Sequence, residues 1–294
     1  MKGLTNPIGI KSFQPLLNPF IMNPFRFVSA TSITGFMTAG YTGSVNIAST
    51  EEFDTDTWSS GGAVATARRG GGGGGSNTDG ICFAGFTGTA RTVTEEYNGT
   101  SWSSGGDMAT GRAECGGGGS STDALGAGGA GTTTEEYNGT SWSAGGALPA
   151  TRASASMGGI STDGFAVGGR IKLTSTVEYN GTSWSSGGTA GTGISEGGNG
   201  ADWGSQGAGM WAGGSSASGS VATTELYNGT SWSGTGSLGT AVSQSQGGYN
   251  GTDGLSNNGG DYSGLTELYS GDSGTWSVTG SPATNRAVGM SGIV

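Results

Sequence analysis

Apolar and polar residues fall into short bursts along this chain, and the bursts return at a near-constant interval. The clearest is Glu135-Glu136-Tyr137-Asn138-Gly139-Thr140-Ser141-Trp142. It predicts a strand anchored by Tyr137, a turn at Asn138-Gly139 and a second strand anchored by Trp142. Asn-Gly predicts a two-residue type I′ turn, which needs φ > 0 at both central residues. Close copies end at Trp58, Trp102, Trp142, Trp184, Trp232 and Trp276, 40 to 48 residues apart. A period in that range signals a repeat architecture.

The fourth copy shows the whole unit. Arg152 opens a run of small residues to Gly159. Asp163-Gly164 turns into an apolar run that ends in Gly168-Gly169. Ser175–Tyr179 follows, then Asn180-Gly181 and a strand at Trp184. The unit therefore predicts four short strands joined by Gly, Asp and Asn turns. One such sheet is not stable by itself, and several packed radially bury both faces. At the ends of the chain, Gly35–Gly40 and Thr50–Phe53 supply a second and a third strand, but Arg26 lies only 9 residues before Gly35. The spare strand Arg286–Val294 is expected to pair with the first copy and close the ring, which removes exposed sheet edges. The expected fold is all-β: a six-bladed propeller over residues 31–294, closed by a C-terminal strand.

Residues 1–30 lie outside the repeat and hold four of the six prolines. Proline rules out a helix here and favours an extended path. Leu16, Leu17, Phe20, Ile21 and Phe25 make this an arm that packs on its own domain, a neighbouring copy or a partner. The apolar stretch is broken by Pro15, Pro19 and Pro24, so no membrane insertion is expected. The start of the chain lacks a continuous apolar signal region, so no secretory export is expected.

The formal charge of −10 argues against nucleic acid, whose binding requires phosphate neutralisation. Glycine, at 66 residues, implies a thin core built by close backbone approach. The run Gly70–Gly75 is expected to be an inner strand rather than a phosphate cradle. Cys82 and Cys115 fall on neighbouring strands of adjacent units, either as buried thiols or as a cross-repeat disulfide. The chain has no histidine, which removes Ser-His-Asp and Cys-His catalysis and His-ligated zinc; no cofactor and no metal site are expected. Glu51, Glu95, Glu135, Glu225 and Glu267 recur in one register and Glu52, Glu96, Glu136 and Glu178 in the next, and are expected to form a solvated face. The repeated arginines are expected to hydrogen-bond between blades. The fifth copy departs most from the repeat, with Trp203 in an extra loop and Trp211 aligned with Ala166. Trp203, Trp211, Tyr249 and Asp202 are therefore the candidate ligand residues.

The order Arg152, Gly168-Gly169, Tyr179 and Trp184 resembles the kelch-type propeller repeat in a shortened form. Glu-Tyr-Asn-Gly-Thr-Ser-Trp units with Gly/Ser-rich strands also resemble propeller proteins of marine bacteriophage virions and tail appendages. That resemblance implies a non-enzymatic virion structural protein. Its arm would dock on other virion proteins, and its propeller would present a surface to host glycans. A homo-oligomer in the particle is compatible with it, and outside a particle the location would be cytoplasmic. Two alternatives stand beside it: a carboxylate-dependent glycan hydrolase, which needs only two acids, and a cellular kelch-type interaction module.

Overall fold

The protein's structure, a computed structural model, describes residues 33–129, 131–195, 203–257, 259–260 and 264–294. The expected arm, with Leu16, Leu17, Phe20, Ile21 and Phe25, and the candidate Asp202 lie outside the described residues. Thr31–Val294 forms one compact unit. It is an all-β, six-bladed propeller whose blades are small antiparallel sheets.

Blade 3 is the pattern for the others. From the axis outward it runs Cys115–Gly119, Ala124–Gly128, Thr134–Tyr137 and Trp142–Ala144. Blades 2, 4 and 6 repeat this order, beginning at Gly72–Gly75, Ser156–Ile160 and Gln246–Tyr249. Blade 1 takes its inner strand from the far end of the chain. Met290–Ile293 pairs antiparallel with Thr34–Thr38, matching Gly35 to Ile293 and Thr38 to Met290. The C-terminal closure read from the sequence is what the ring uses. Blade 5 shows three described strands, Gly209–Ala212, Thr224–Tyr227 and Trp232–Gly234, and carries a two-stranded ribbon, Ser215–Ser216 with Gly219–Ser220.

Glycine at the axis has a direct cause. A Cβ on Gly74 would lie 2.5 Å from the Gly119 backbone of the next blade. The inner strands meet backbone to backbone, so the Gly70–Gly75 run serves packing, as expected.

The outer hairpins differ from expectation. Gly99, Gly139, Gly181 and Gly229 have φ of 85 to 88°, but none of the preceding asparagines has positive φ. The connection is a four-residue loop, 98–101 in blade 2. Asn98 Oδ1 accepts the amides of Thr100 and Ser101, both at 3.0 Å, and the other three blades repeat this geometry. The asparagine side chain closes the turn, so only the glycine needs the left-handed region. Asn250 makes the same loop between the inner and second strands of blade 6.

Both cysteines are buried and free. Burial, the leading cause, pushes the Cys82 thiol up to about 12 and Cys115 up to about 11. Both therefore remain protonated and inert at neutral pH.

Candidate functional site

The repeated polar residues build the seams between blades, which decides what is left for function. Each periodic tryptophan donates its indole N–H to a threonine of the preceding blade. Trp102 reaches Thr50 at 2.8 Å, Trp142 reaches Thr94 at 2.8 Å, Trp184 reaches Thr134 at 2.9 Å, Trp232 reaches Thr176 at 2.7 Å and Trp276 reaches Thr224 at 3.0 Å. Trp58 completes the circle on Thr266 at 3.2 Å. Four tyrosines add a second bond: Tyr97, Tyr137, Tyr179 and Tyr227 donate to Glu52, Glu96, Glu136 and Glu178 of the blade before. Burial first, and then this bond, pushes the phenols of Tyr97, Tyr137 and Tyr179 up to about 12. A Cβ on Gly105 would stand 2.6 Å from Tyr137 Oη, so glycine at that place lets the phenol reach across.

The other glutamate register is not a solvated face. Glu51, Glu95, Glu135, Glu225 and Glu267 are all buried. Their carboxylates accept backbone amides from the loop that enters their own blade: Thr284 to Glu51 at 2.9 Å, Ala65 to Glu95 at 2.7 Å, Ala109 to Glu135 at 2.7 Å, Gly191 to Glu225 at 2.9 Å and Gly239 to Glu267 at 2.7 Å. In three blades a buried arginine completes the clasp, with Arg68–Glu95 at 2.5 Å, Arg112–Glu135 at 2.6 Å and Arg286–Glu51 at 3.1 Å. The desolvated pair is stable because each carboxylate also accepts a fixed amide. The arginines thus tie the entering loop to the third strand of the same blade. The expectation of arginines bonding from blade to blade is corrected to that extent.

The ring's two ends carry the unengaged chemistry, and they differ in charge. At one end lie the loops between blades and those joining second and third strands, with the exposed Asp107 bonded to Thr92 at 3.3 Å. There Arg69, Arg91 and Lys172 form no ion pair among the described residues, and Arg170 pairs only with the partly exposed Glu114. At the other end lie the hairpins, with Asp54, Asp56, Asp79, Asp123, Asp163, Asp253 and Asp272 and no lysine or arginine among the described residues. Asp79, Asp123 and Asp163 each accept an amide of the next blade's hairpin, from Ser121 at 3.1 Å, Ser161 at 2.9 Å and Gln206 at 2.9 Å.

A cavity of about 410 Å³ opens at the cationic end, lined by Tyr41, Arg69, Phe86, Glu114, Gln244 and Val288 among others. The guanidinium carbon of Arg69 lies 4.4 Å from the Tyr41 ring centroid and 5.4 Å from that of Phe86. Its Nη1 donates to Asn46 Oδ1 at 3.0 Å. The rim is backbone under strain. Glu114, Ser154, Gln244 and Val288 hold φ of 46 to 56°, beside Gly70 at 66°. Their amides run head to tail, Gly70 to Val288 O at 2.7 Å, Glu114 to Gly70 O at 2.6 Å and Ser154 to Glu114 O at 2.9 Å. Left-handed backbone at non-glycine residues costs roughly 1 kcal/mol each. The same left-handed position recurs in blades 1 to 4 and 6, so the strain belongs to the ring around the axis and the opening is set within it.

The sequence candidates fall elsewhere. Trp203 and Trp211 are both 0 % exposed, in the core with Phe165, Met210, Leu238 and Val242. An indole with no exposed face cannot stack on a ligand, which corrects both as ligand residues. Trp203 is not in a loop either: its amide bonds Met157 O at 3.2 Å on the inner strand of blade 4, and its carbonyl accepts Met210 N at 3.0 Å. It occupies the inner-strand position of blade 5. Tyr249, 8 % exposed, borders a cavity of about 290 Å³ at the acidic end with Ile160, Asp163, Ala208 and Asn250. Burial pushes its phenol up to about 12, with Tyr269 and Asp253 contributing. The Tyr41–Arg69–Phe86 group escaped the sequence reading, although a signal was present. Arg69 stands where three of the other units have Ala113, Ala153 and Ala287.

No family model matches the chain, and no curated protein matches it. Among solved structures it is similar to the structure of YjhT, with a TM-score of 0.62 and 14% identity over 83% of this chain and 96% of that one. A likeness at that identity speaks to the fold alone.

Proposed function

We propose that this chain is a non-enzymatic virion component whose propeller presents the cationic mouth to host-surface glycans and whose N-terminal arm anchors it to other virion proteins. The observation that carries the reading is the Tyr41–Arg69–Phe86 mouth, with its aromatic rings and pinned guanidinium in a cavity of about 410 Å³. Flat apolar rings beside hydrogen-bonding groups are what a sugar ring's two kinds of surface require. The clasps support a binding role over hydrolysis. A glycosidase needs one carboxyl group to protonate the leaving oxygen and a second to attack or activate water. The glutamates that recur with the repeat are bonded into seams and clasps. The sequence resemblance to phage appendage propellers supplies the virion setting, with other copies and other virion proteins as neighbours.

Two measurements test it. Deleting residues 1–28 is expected to abolish incorporation into particles, and unchanged incorporation sinks the anchoring role. Replacing Phe86 with serine is expected to reduce adsorption of particles to host cells at least severalfold without lowering incorporation. Full adsorption by that variant, or glycan cleavage by the purified chain, would overturn the glycan-presenting reading.

A further inference from the structure

We infer that the ligand taken at the cationic mouth is anionic: a saccharide bearing carboxylate or sulfate groups, held through Arg69. The inference rests on the glycan-presenting reading and adds the charge class. The chain as a whole carries −10 and repels anions, so an anionic ligand needs a local reversal of potential. The structure has one. The unpaired cations Arg69, Arg91 and Lys172 share one end of the ring with the exposed Arg170, against Asp107 and Glu114 there, while the opposite end carries seven aspartates and no lysine or arginine among the described residues. Such a separation steers an anion to one face.

Arg69 is also built for the task. Its guanidinium is half-buried against Tyr41 and Phe86, with Nη1 held by Asn46, and no carboxylate neutralises it among the described residues. The contrast with Arg68, one residue earlier, is direct. Arg68 is 0 % exposed and bonded to Glu95 at 2.5 Å. A guanidinium fixed by stacking has already lost most of its rotamer freedom, so a bidentate carboxylate or sulfate gains its full charge-assisted bond. Glu114 lines the same cavity but is paired with Arg170, which offsets its charge there. Gln244 and Tyr41 remain for hydroxyl groups.

The test is calorimetry on the full chain with matched probes: oligogalacturonate, a sulfated galactan oligomer and the neutral galactose oligomer of the same length. Both acidic oligomers are expected to bind, more weakly as salt rises, and the neutral one at least tenfold less. Arg69→Gln is expected to cost roughly ten- to a hundredfold in affinity for the acidic probes, and Glu114→Gln to improve it. Melting curves check that both variants fold, and Arg69→Lys should recover part of the loss if charge is what matters. Equal binding of acidic and neutral oligomers overturns the charge inference and leaves the glycan reading standing. Acidic binding undiminished in Arg69→Gln removes Arg69 from it. No binding of any probe fails the glycan reading itself.

Discussion

The seam between blades 2 and 3 and the seam that closes the ring perform the same task with different chemistry. Between blades 2 and 3, Tyr137 donates to Glu96. Between blades 6 and 1, Phe53 stands where the tyrosine would be and Leu268 where the glutamate would be, both in one apolar cluster with Leu255 and Ile293. The hydroxyl and its acceptor have gone together. Blade 4 repeats the lesson at the clasp. Pro149, which has no amide hydrogen, occupies the place of the loop donors Ala65 and Ala109, and Val177 occupies the place of their acceptors Glu95 and Glu135. Removing both partners of a buried hydrogen bond is nearly neutral, whereas removing one leaves a desolvated group that costs about 1–3 kcal/mol. For a hydrogen-bonded couple the ring uses either both polar partners or neither, while the arginine of the clasp varies separately: Arg152 stays without a carboxylate in blade 4 among the described residues, bonded instead to Gly168 O and Ser175 Oγ. Between blades 5 and 6 a third solution appears. Leu226 replaces the glutamate, and Tyr269 finds Thr235 Oγ1 at 2.7 Å instead.

The comparison breaks most visibly at the closure. Arg286→Met leaves Glu51 as a buried charge with a single amide donor, and is expected to cost about 3–5 kcal/mol. Truncation after Asn285 removes the inner strand of blade 1 altogether and is expected to abolish cooperative unfolding in urea. A truncated chain that melts like the full one would show that the apolar seam holds without its strand. At the polar seam, Glu96→Leu and Tyr137→Phe are each expected to cost about 1–3 kcal/mol. The double variant, a copy of the closing seam, should cost about 1 kcal/mol or more less than their sum. Additive losses in a double-mutant cycle would mean that the two side chains do not act as a pair. The smallest effect belongs to blade 4. There Arg152 is buried with only Gly168 O at 2.7 Å and Ser175 Oγ at 2.8 Å for partners among the described residues, and burial lowers its pKa to about 10. Val177→Glu supplies the missing carboxylate and is expected to raise stability by about 1 kcal/mol. The same change in an Arg152→Met background should destabilise by about 3 kcal/mol, because the carboxylate is then alone. Chemical denaturation of the two variants reads both signs.

Much of the architecture is legible in the sequence. The Trp-to-Trp interval, the two-period strands and the spare segment Arg286–Val294 specify a closed ring of six sheets, because a four-stranded sheet cannot bury two faces by itself. Local turn chemistry was legible in kind but not in detail. Asn-Gly marked the hairpins, while the asparagine's own carbonyl, and not a type I′ backbone, closes them. The glutamates were misjudged because burial is a property of the assembled ring. A carboxylate on a short strand looks solvated until the next loop lays an amide 2.7 Å from it. Trp203 and Trp211 were misjudged for the related reason that a departure from the repeat can fill a core as readily as it can build a site.

What the sequence determined by itself is the periodic part: strand, turn and anchor in each unit, and the number of units, all set by interactions within about 45 residues. What only the tertiary structure decided is which polar groups remain free. Closing the ring brings each blade's acids and hydroxyls against its neighbour's donors and consumes them in pairs. It also gathers Tyr41, Arg69 and Phe86, distant in sequence, at one mouth. A side chain's availability depends on what the neighbouring blade offers it, and the sequence of one unit does not contain that neighbour.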